Sequence, residues 1–108
     1  MSDFSMNQMQ RMQKTLQDRY KTCWEPICAD TGQNKLLWMI GEIGEVIDIV
    51  KKHGGDAVMS DPGLRKDLVE EMADVLMYYN DVMLCYDISP EELKQAYTAK
   101  FERNMNRW

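Results

Sequence analysis

Histidine is nearly absent from this chain of 108 residues, and the one that occurs is His53. That scarcity excludes metal chemistry built on imidazole. A di-iron bundle needs Glu-x-x-His pairs, and no glutamate stands three residues before His53. Cysteine is scarce too. Cys23, Cys28 and Cys85 make an odd count, and the first two are too widely spaced for a zinc knuckle, so they read as ordinary thiols. Basic charge is in deficit: 13 Lys and Arg face 18 Asp and Glu, for a net charge of −5. A protein that grips a nucleic-acid polymer along its phosphates is usually basic, so that class is set aside. No apolar run approaches the ~20 residues that span a bilayer, which argues against a membrane partner. The opening Met1-Ser2-Asp3-Phe4-Ser5 lacks the charged-then-apolar pattern of a secretory leader. The expectation is a cytoplasmic protein with reduced thiols. Internal repeats, low-complexity stretches and strand-like alternation are also missing.

What is present is a hydrophobic fraction of 44%, ordinary for a globular protein, over a length that suits one domain spanning 1–108. Four segments carry helical periodicity. Over residues 4–22, Met9, Met12, Leu16 and Tyr20 recur at three- and four-residue steps and predict one buried face. Residues 24–32, with Pro26, Asp30 and Gly32, read as a loop. A second helix is predicted from Gln33 to His53, closed by Gly54-Gly55, with Lys51 and Lys52 in the last turn where cations suit the helix dipole. A third begins at Asp61-Pro62 and runs to about Tyr86. A fourth starts at Ser89-Pro90, where Ser89 is a natural N-cap and Glu92 completes a capping box. It runs close to Trp108, with Lys100, Arg103 and Arg107 in its last two turns. Short connections between long helices predict antiparallel neighbours in an all-α four-helix bundle.

Two helices carry carboxylates that a bland reading does not explain. On the second, Leu36, Met39, Ile40, Ile43, Val46, Ile47 and Val50 form a broad apolar face, while Glu42 and Glu45 share the other side with Trp38 and Ile49. Gly41 and Gly44 occupy a third side and allow close backbone approach. A helix apolar on most sides is largely buried, and carboxylates on it are costly unless something cationic meets them. On the third helix, Leu64, Leu68, Met72, Val75, Tyr79, Val82 and Met83 make the expected core face. Asp67, Glu71, Asp74 and Asp81 line a neighbouring stripe, where like charges at these steps repel. An i, i+3 spacing sets two carboxylates one turn apart on the same side of a helix. Two such helices packed antiparallel would aim Glu42, Glu45, Glu71 and Asp74 at one point. Hard oxygen ligands suit Mg²⁺, with Mn²⁺ as a substitute. The competing reading is a solvated acidic face, or a non-enzymatic helical interaction module whose acidic face meets a basic partner.

The residues around these pairs resemble a known family. Glu42-Ile43-Gly44-Glu45 followed by Glu71-Met72-Ala73-Asp74 resembles the ExxE…ExxD signature of the all-α nucleotide pyrophosphohydrolases of the MazG type. The flanking Leu37-Trp38-Met39-Ile40-Gly41 and Val75-Leu76-Met77-Tyr78-Tyr79 are similar too, and so is the basic close Lys100-Phe101-Glu102-Arg103-Asn104. The resemblance covers roughly 33–107. Many such proteins have a glutamate where Gly41 stands here, and the variant is similar to the branch that includes dCTP pyrophosphatases. Dimeric dUTPases share the metal motif in a larger chain.

The resemblance implies hydrolysis of a nucleoside triphosphate, a dNTP or a non-canonical one, to the monophosphate and pyrophosphate. Glu42, Glu45, Glu71 and Asp74 would then ligate Mg²⁺, with Glu42 or Glu45 taking the proton of the attacking water. Charge on the leaving pyrophosphate needs cations, for which Lys51, Lys52, Lys100, Arg103 and Arg107 are candidates. Base recognition needs an aromatic wall and a few polar groups. Trp24, Asn34, Trp38 and Tyr78 could contribute, although core packing is the simpler role for both tryptophans. Four helices are too few to bury the apolar sides of the second, so a homodimer or homotetramer is expected to complete the bundle.

Overall fold

Each helix boundary traces to a local signal. In the computed structural model, which describes residues 3–107, α1 spans Met6–Arg19. Ser5 caps it: its hydroxyl accepts from the Gln8 backbone N–H at 3.2 Å, while the Gln8 side chain accepts from the Ser5 N–H at 2.7 Å. That reciprocal pair satisfies two donors that a helix start leaves orphaned. A single 3₁₀ turn, Ala29–Thr31, leads into α2, Gly32–His53. Gly54 ends α2 with φ of 85°, a conformation costly to residues with a Cβ, and its N–H donates to Val50 O at 2.8 Å.

A short helix not expected from the sequence, α3 (Gly55–Ser60), follows at once. Six residues carry too few periods to register as an amphipathic pattern. Asp61 then caps α4, Pro62–Cys85, accepting from the Gly63 and Leu64 N–H groups at 2.9 and 3.3 Å. Ser89 caps α5, Pro90–Arg107, accepting from the Glu92 N–H at 3.1 Å. No strand occurs among the described residues, so the chain is all-α. None of the described helices is long and apolar enough to cross a membrane.

The α2–α4 pair is the centre of the fold, with α1 laid across α4 and α3 closing the turn between them. Trp38 meets Tyr78 edge-on at 6.1 Å between ring centroids, whereas Glu42 and Glu45 meet Glu71, earlier in α4. Later residues of α2 thus face earlier residues of α4, so the two run antiparallel. Among the described elements, α5 packs against α1 alone and buries no residue.

The expected apolar face of α2 is largely uncovered, whereas that of α4 is exposed only at Met72. Ile40 is 62% exposed and Ile47 56%, while Leu36, Ile43 and Val50 are exposed as well. Met72, on the expected core face of α4, is 51% exposed. On α1 the buried stripe is rotated from the expected one: Met12 and Tyr20 lie outside, and Gln13 and Gln17 are buried in their stead. Asp81 supplies the reason, because its carboxylate faces α1 and accepts both amides. Trp24 and Trp38 are also half-exposed rather than core. The Cα radius of gyration is 16.3 Å, against about 13 Å for a close-packed domain of this length.

Candidate metal and nucleotide site

The carboxylates of α2 and α4 meet because both helices are rigid across that stretch and antiparallel. Glu42, Glu45 and Glu71 each place one oxygen within 4.8 Å of the others. Asp74 stands one turn along from Glu71, close enough that its charge acts on Glu42, and it lines the same cavity as Glu42. Glu42 Oε2 and Glu71 Oε2 are buried with no hydrogen-bond partner. Buried polar atoms are normally satisfied, so two orphaned carboxylate oxygens at one point call for a shared proton or a cation. Among the described residues no cation is supplied: the ion pairs within 4.0 Å are Lys14–Asp18 and Lys66–Glu70, both on the surface.

Crowding shows in the proton affinities. Glu71 is pushed up to about 7, first because a proton on it bonds to Glu45 and Glu42, then through desolvation and the repulsion of those carboxylates. Glu42 is raised chiefly by burial and further by Glu45 and Asp74, against a lowering contact with Glu71. Tyr78 is raised by burial and then by the charges of Glu42, Asp81 and Asp74. All three shifts describe a pocket of uncompensated negative charge.

A cavity of about 560 Å³ opens from these carboxylates between α1, α2 and α4, within the usual range for a small-molecule site. Trp24, Trp38 and Tyr78 line it beside Glu42 and Asp74. Trp24 is held by stacking on Tyr20, with centroids 4.7 Å apart. A shallower groove of about 390 Å³ shares Trp38, Glu42 and Tyr78 with that cavity and adds Glu45 and Gly41. A Cβ at Gly41 would meet nothing within 4 Å, so the absence of a side chain there leaves the groove open.

The remaining expected residues lie elsewhere. Asn34 gives its amide to Glu25 at 3.0 Å and does not line the cavity. Lys51 and Lys52 end α2, and Lys100, Arg103 and Arg107 lie on α5; none of the five lines the cavity within one chain. Residues that sequence reasoning passed over also line it, Gln13, Gln17 and Lys35 among them, beside Asp81 of the acidic stripe. Asp81 Oδ1 accepts from Gln13 Nε2 at 2.8 Å and from Gln17 Nε2 at 3.0 Å. Desolvation nonetheless raises Asp81, outweighing those two amides and Lys35. The available signal was two glutamines one turn apart on an otherwise apolar stripe.

An antiparallel helix pair that crowds carboxylates beside an aromatic cavity defines an all-α acidic-site protein. The model of the MazG nucleotide pyrophosphohydrolase domain matches residues 30–107. The chain belongs to that family, whose members are nucleotide pyrophosphohydrolases that act on nucleotides and typically use a divalent metal. No curated protein and no solved structure matches it.

Proposed function

We propose that the chain, as one domain over 1–108, hydrolyses a nucleoside triphosphate to the monophosphate and pyrophosphate with Mg²⁺. The observation that carries this is the convergence of Glu42, Glu45 and Glu71, with two buried unpartnered oxygens, inside the family-matched segment. An all-oxygen donor set fits Mg²⁺ or Mn²⁺ better than zinc or copper. Glu42, Glu45, Glu71 and Asp74 are its ligands in this reading. Bound there, Mg²⁺ supplies charge neutralisation and polarisation of the phosphate oxygens. Glu71 would have to be ionised to serve as a ligand, since metal ligands are deprotonated. Glu42 or Glu45 takes the proton of the attacking water. Trp24, Trp38 and Tyr78 wall the base, and the groove past Gly41 receives the phosphates.

The functional unit is a homo-oligomer in the cytoplasm. Support comes from the uncovered apolar side of α2 and from α5, whose Tyr97, Phe101 and Met105 are all more than half exposed. Exposed apolar surface on that scale marks an interface. Assembly would bring Lys51, Lys52, Lys100, Arg103 and Arg107 of another copy within reach of the phosphates.

Chromatography of the products formed from a dNTP panel with Mg²⁺ tests the activity. Monophosphate and pyrophosphate are expected. Diphosphate with orthophosphate would place cleavage at the γ-phosphate and sink the assignment. Saturable Mg²⁺ binding by the isolated protein separates this reading from an acidic docking face, where binding would be weak and salt-screened.

A further inference from the structure

Cys28 and Cys85 meet at one hydroxyl. Each Sγ stands 3.7 Å from Thr31 Oγ1, so the two sulfurs are no further apart than twice that distance. The backbone brings them there. Cys28 precedes the 3₁₀ turn Ala29–Thr31, which packs against α4, and Cys85 is the last residue of α4. At the next position of each segment Gly32 lies against the Tyr86 ring, where a Cβ would collide. The hydroxyl between the thiols is oversubscribed. Thr31 Oγ1 also lies 2.6 Å from Pro26 O and 3.0 Å from Cys28 O, and the Cys28 N–H donates to it at 3.3 Å. One proton and two lone pairs cannot serve two carbonyls, an N–H and two thiols, and the thiols are the weakest of these partners. Cys28 is exposed and Cys85 is buried. A reagent in solution therefore reaches Cys28 first, with Cys85 held behind it.

We propose that Cys28 and Cys85 form a reversible oxidation site, which a hydroperoxide converts to an intramolecular disulfide. The Cys28 sulfur attacks one peroxide oxygen, the O–O bond breaks, and the departing hydroxide takes the thiol proton and leaves as water. The product is a sulfenic acid at Cys28. The Cys85 sulfur then attacks the Cys28 sulfur. The S–S bond forms, the S–O bond breaks, and the hydroxyl leaves with the Cys85 proton as a second water. Two electrons pass from the thiols to the peroxide. Rotation of the exposed Cys28 side chain closes the gap to bonding distance, away from the hydroxyl that now separates the sulfurs. A dithiol reverses the bond, as expected of a disulfide in a reducing compartment. The disulfide ties the segment between α1 and α2, which carries the cavity residue Trp24, to the end of α4. This inference is independent of the nucleotide-hydrolysis reading.

The test is treatment of the dilute, folded full chain with an equivalent of hydrogen peroxide, followed by unfolding in an alkylating agent and mass spectrometry of the intact chain and its tryptic peptides. The chain should lose two hydrogen atoms, stay monomeric in covalent mass, and yield one cross-linked peptide pair joining Cys28 to Cys85. The oxidised protein should melt on the order of 10 °C higher, since the bond closes a long loop, and dithiothreitol should return it to the starting value. Cys23→Ser should cross-link as wild type does and fixes the assignment, because Cys23 and Cys28 share a peptide. Cys28→Ser should abolish the cross-link. The wild-type peptide map decides the matter even where a variant does not fold. A Cys23–Cys28 bond, a disulfide between chains, Cys28 carried on to sulfinic acid with Cys85 still free, or three free thiols would each overturn the proposal. So would a Cys28–Cys85 bond that forms only in denaturant.

Discussion

Glu71→Gln separates a metal site from an acidic surface more sharply than any other single change. In the metal-free protein Glu71 is held at about 7, against an ordinary value of 4.5. Between those values the folded state holds a proton that the unfolded chain has lost. The stability this contributes is fully present below the unfolded value and is lost as pH rises through the folded one. Glutamine keeps the shape and never ionises, so its advantage over glutamate should open across that window and level off above it. We expect metal-free Glu71→Gln to melt at or above wild type near pH 8.5, with the gap shrinking towards about pH 5. Magnesium should reverse the order. At a concentration about 100 times the dissociation constant, wild type gains about 2.7 kcal/mol, or roughly 10 °C for a chain of this length. If losing one ligand weakens binding about 100-fold, the upper end for changes even behind the ligands, the variant gains only about 0.4 kcal/mol, or roughly 2 °C. Its hydrolytic rate should fall by a factor on the order of 100 or more. Glu102→Gln on α5 is the control and should do none of this. Melts at both pH values, with and without Mg²⁺ and paired with rates, make the assay. A variant that kept its Mg²⁺ shift and its activity would refute the carboxylate site.

Three further outcomes are expected. Light scattering at micromolar concentration should give a mass at least twice the 12.7 kDa of one chain, and a monomeric mass would refute the proposed assembly. Gly32→Ala should destabilise by about 1–3 kcal/mol through overpacking, because a Cβ there would collide with the Tyr86 ring; adding Tyr86→Ala should remove the penalty, and a penalty that persists would place the clash elsewhere. Mg²⁺ affinity measured by calorimetry should fall steeply as pH drops below about 7, where Glu71 holds its proton, and a pH-independent affinity would take Glu71 out of the ligand set.

Much of the fold was legible because its signals are local. Gly54, Asp61 and Ser89 mark helix ends by which backbone groups their neighbours leave unsatisfied, and each does so in the structure. Glu42, Glu45, Glu71 and Asp74 stood out because i, i+3 spacing on two helices is a one-dimensional pattern with a three-dimensional consequence. The α1 face was misread for the opposite reason. Periodicity ranks residues by hydrophobicity, and it set Met12 and Tyr20 inside where Gln13 and Gln17 belong. Those glutamines are buried by a partner, Asp81, more than 60 residues away in the chain.

The amino-acid sequence by itself determined the four long helices, their order, the antiparallel pairing of α2 with α4 and the meeting of Glu42 and Glu45 with Glu71, since all follow from turn chemistry and helical pitch. Tertiary structure alone decided how α1 rolls onto α4, and with it the composition of the cavity. It buried Lys35 opposite Asp81, left Trp24 and Trp38 lining a hollow instead of filling a core, and turned the apolar face of α2 outward. No residue carries that information in its own type or spacing. It arises where burial energy, hydrogen-bond satisfaction and charge are balanced between segments far apart in the chain.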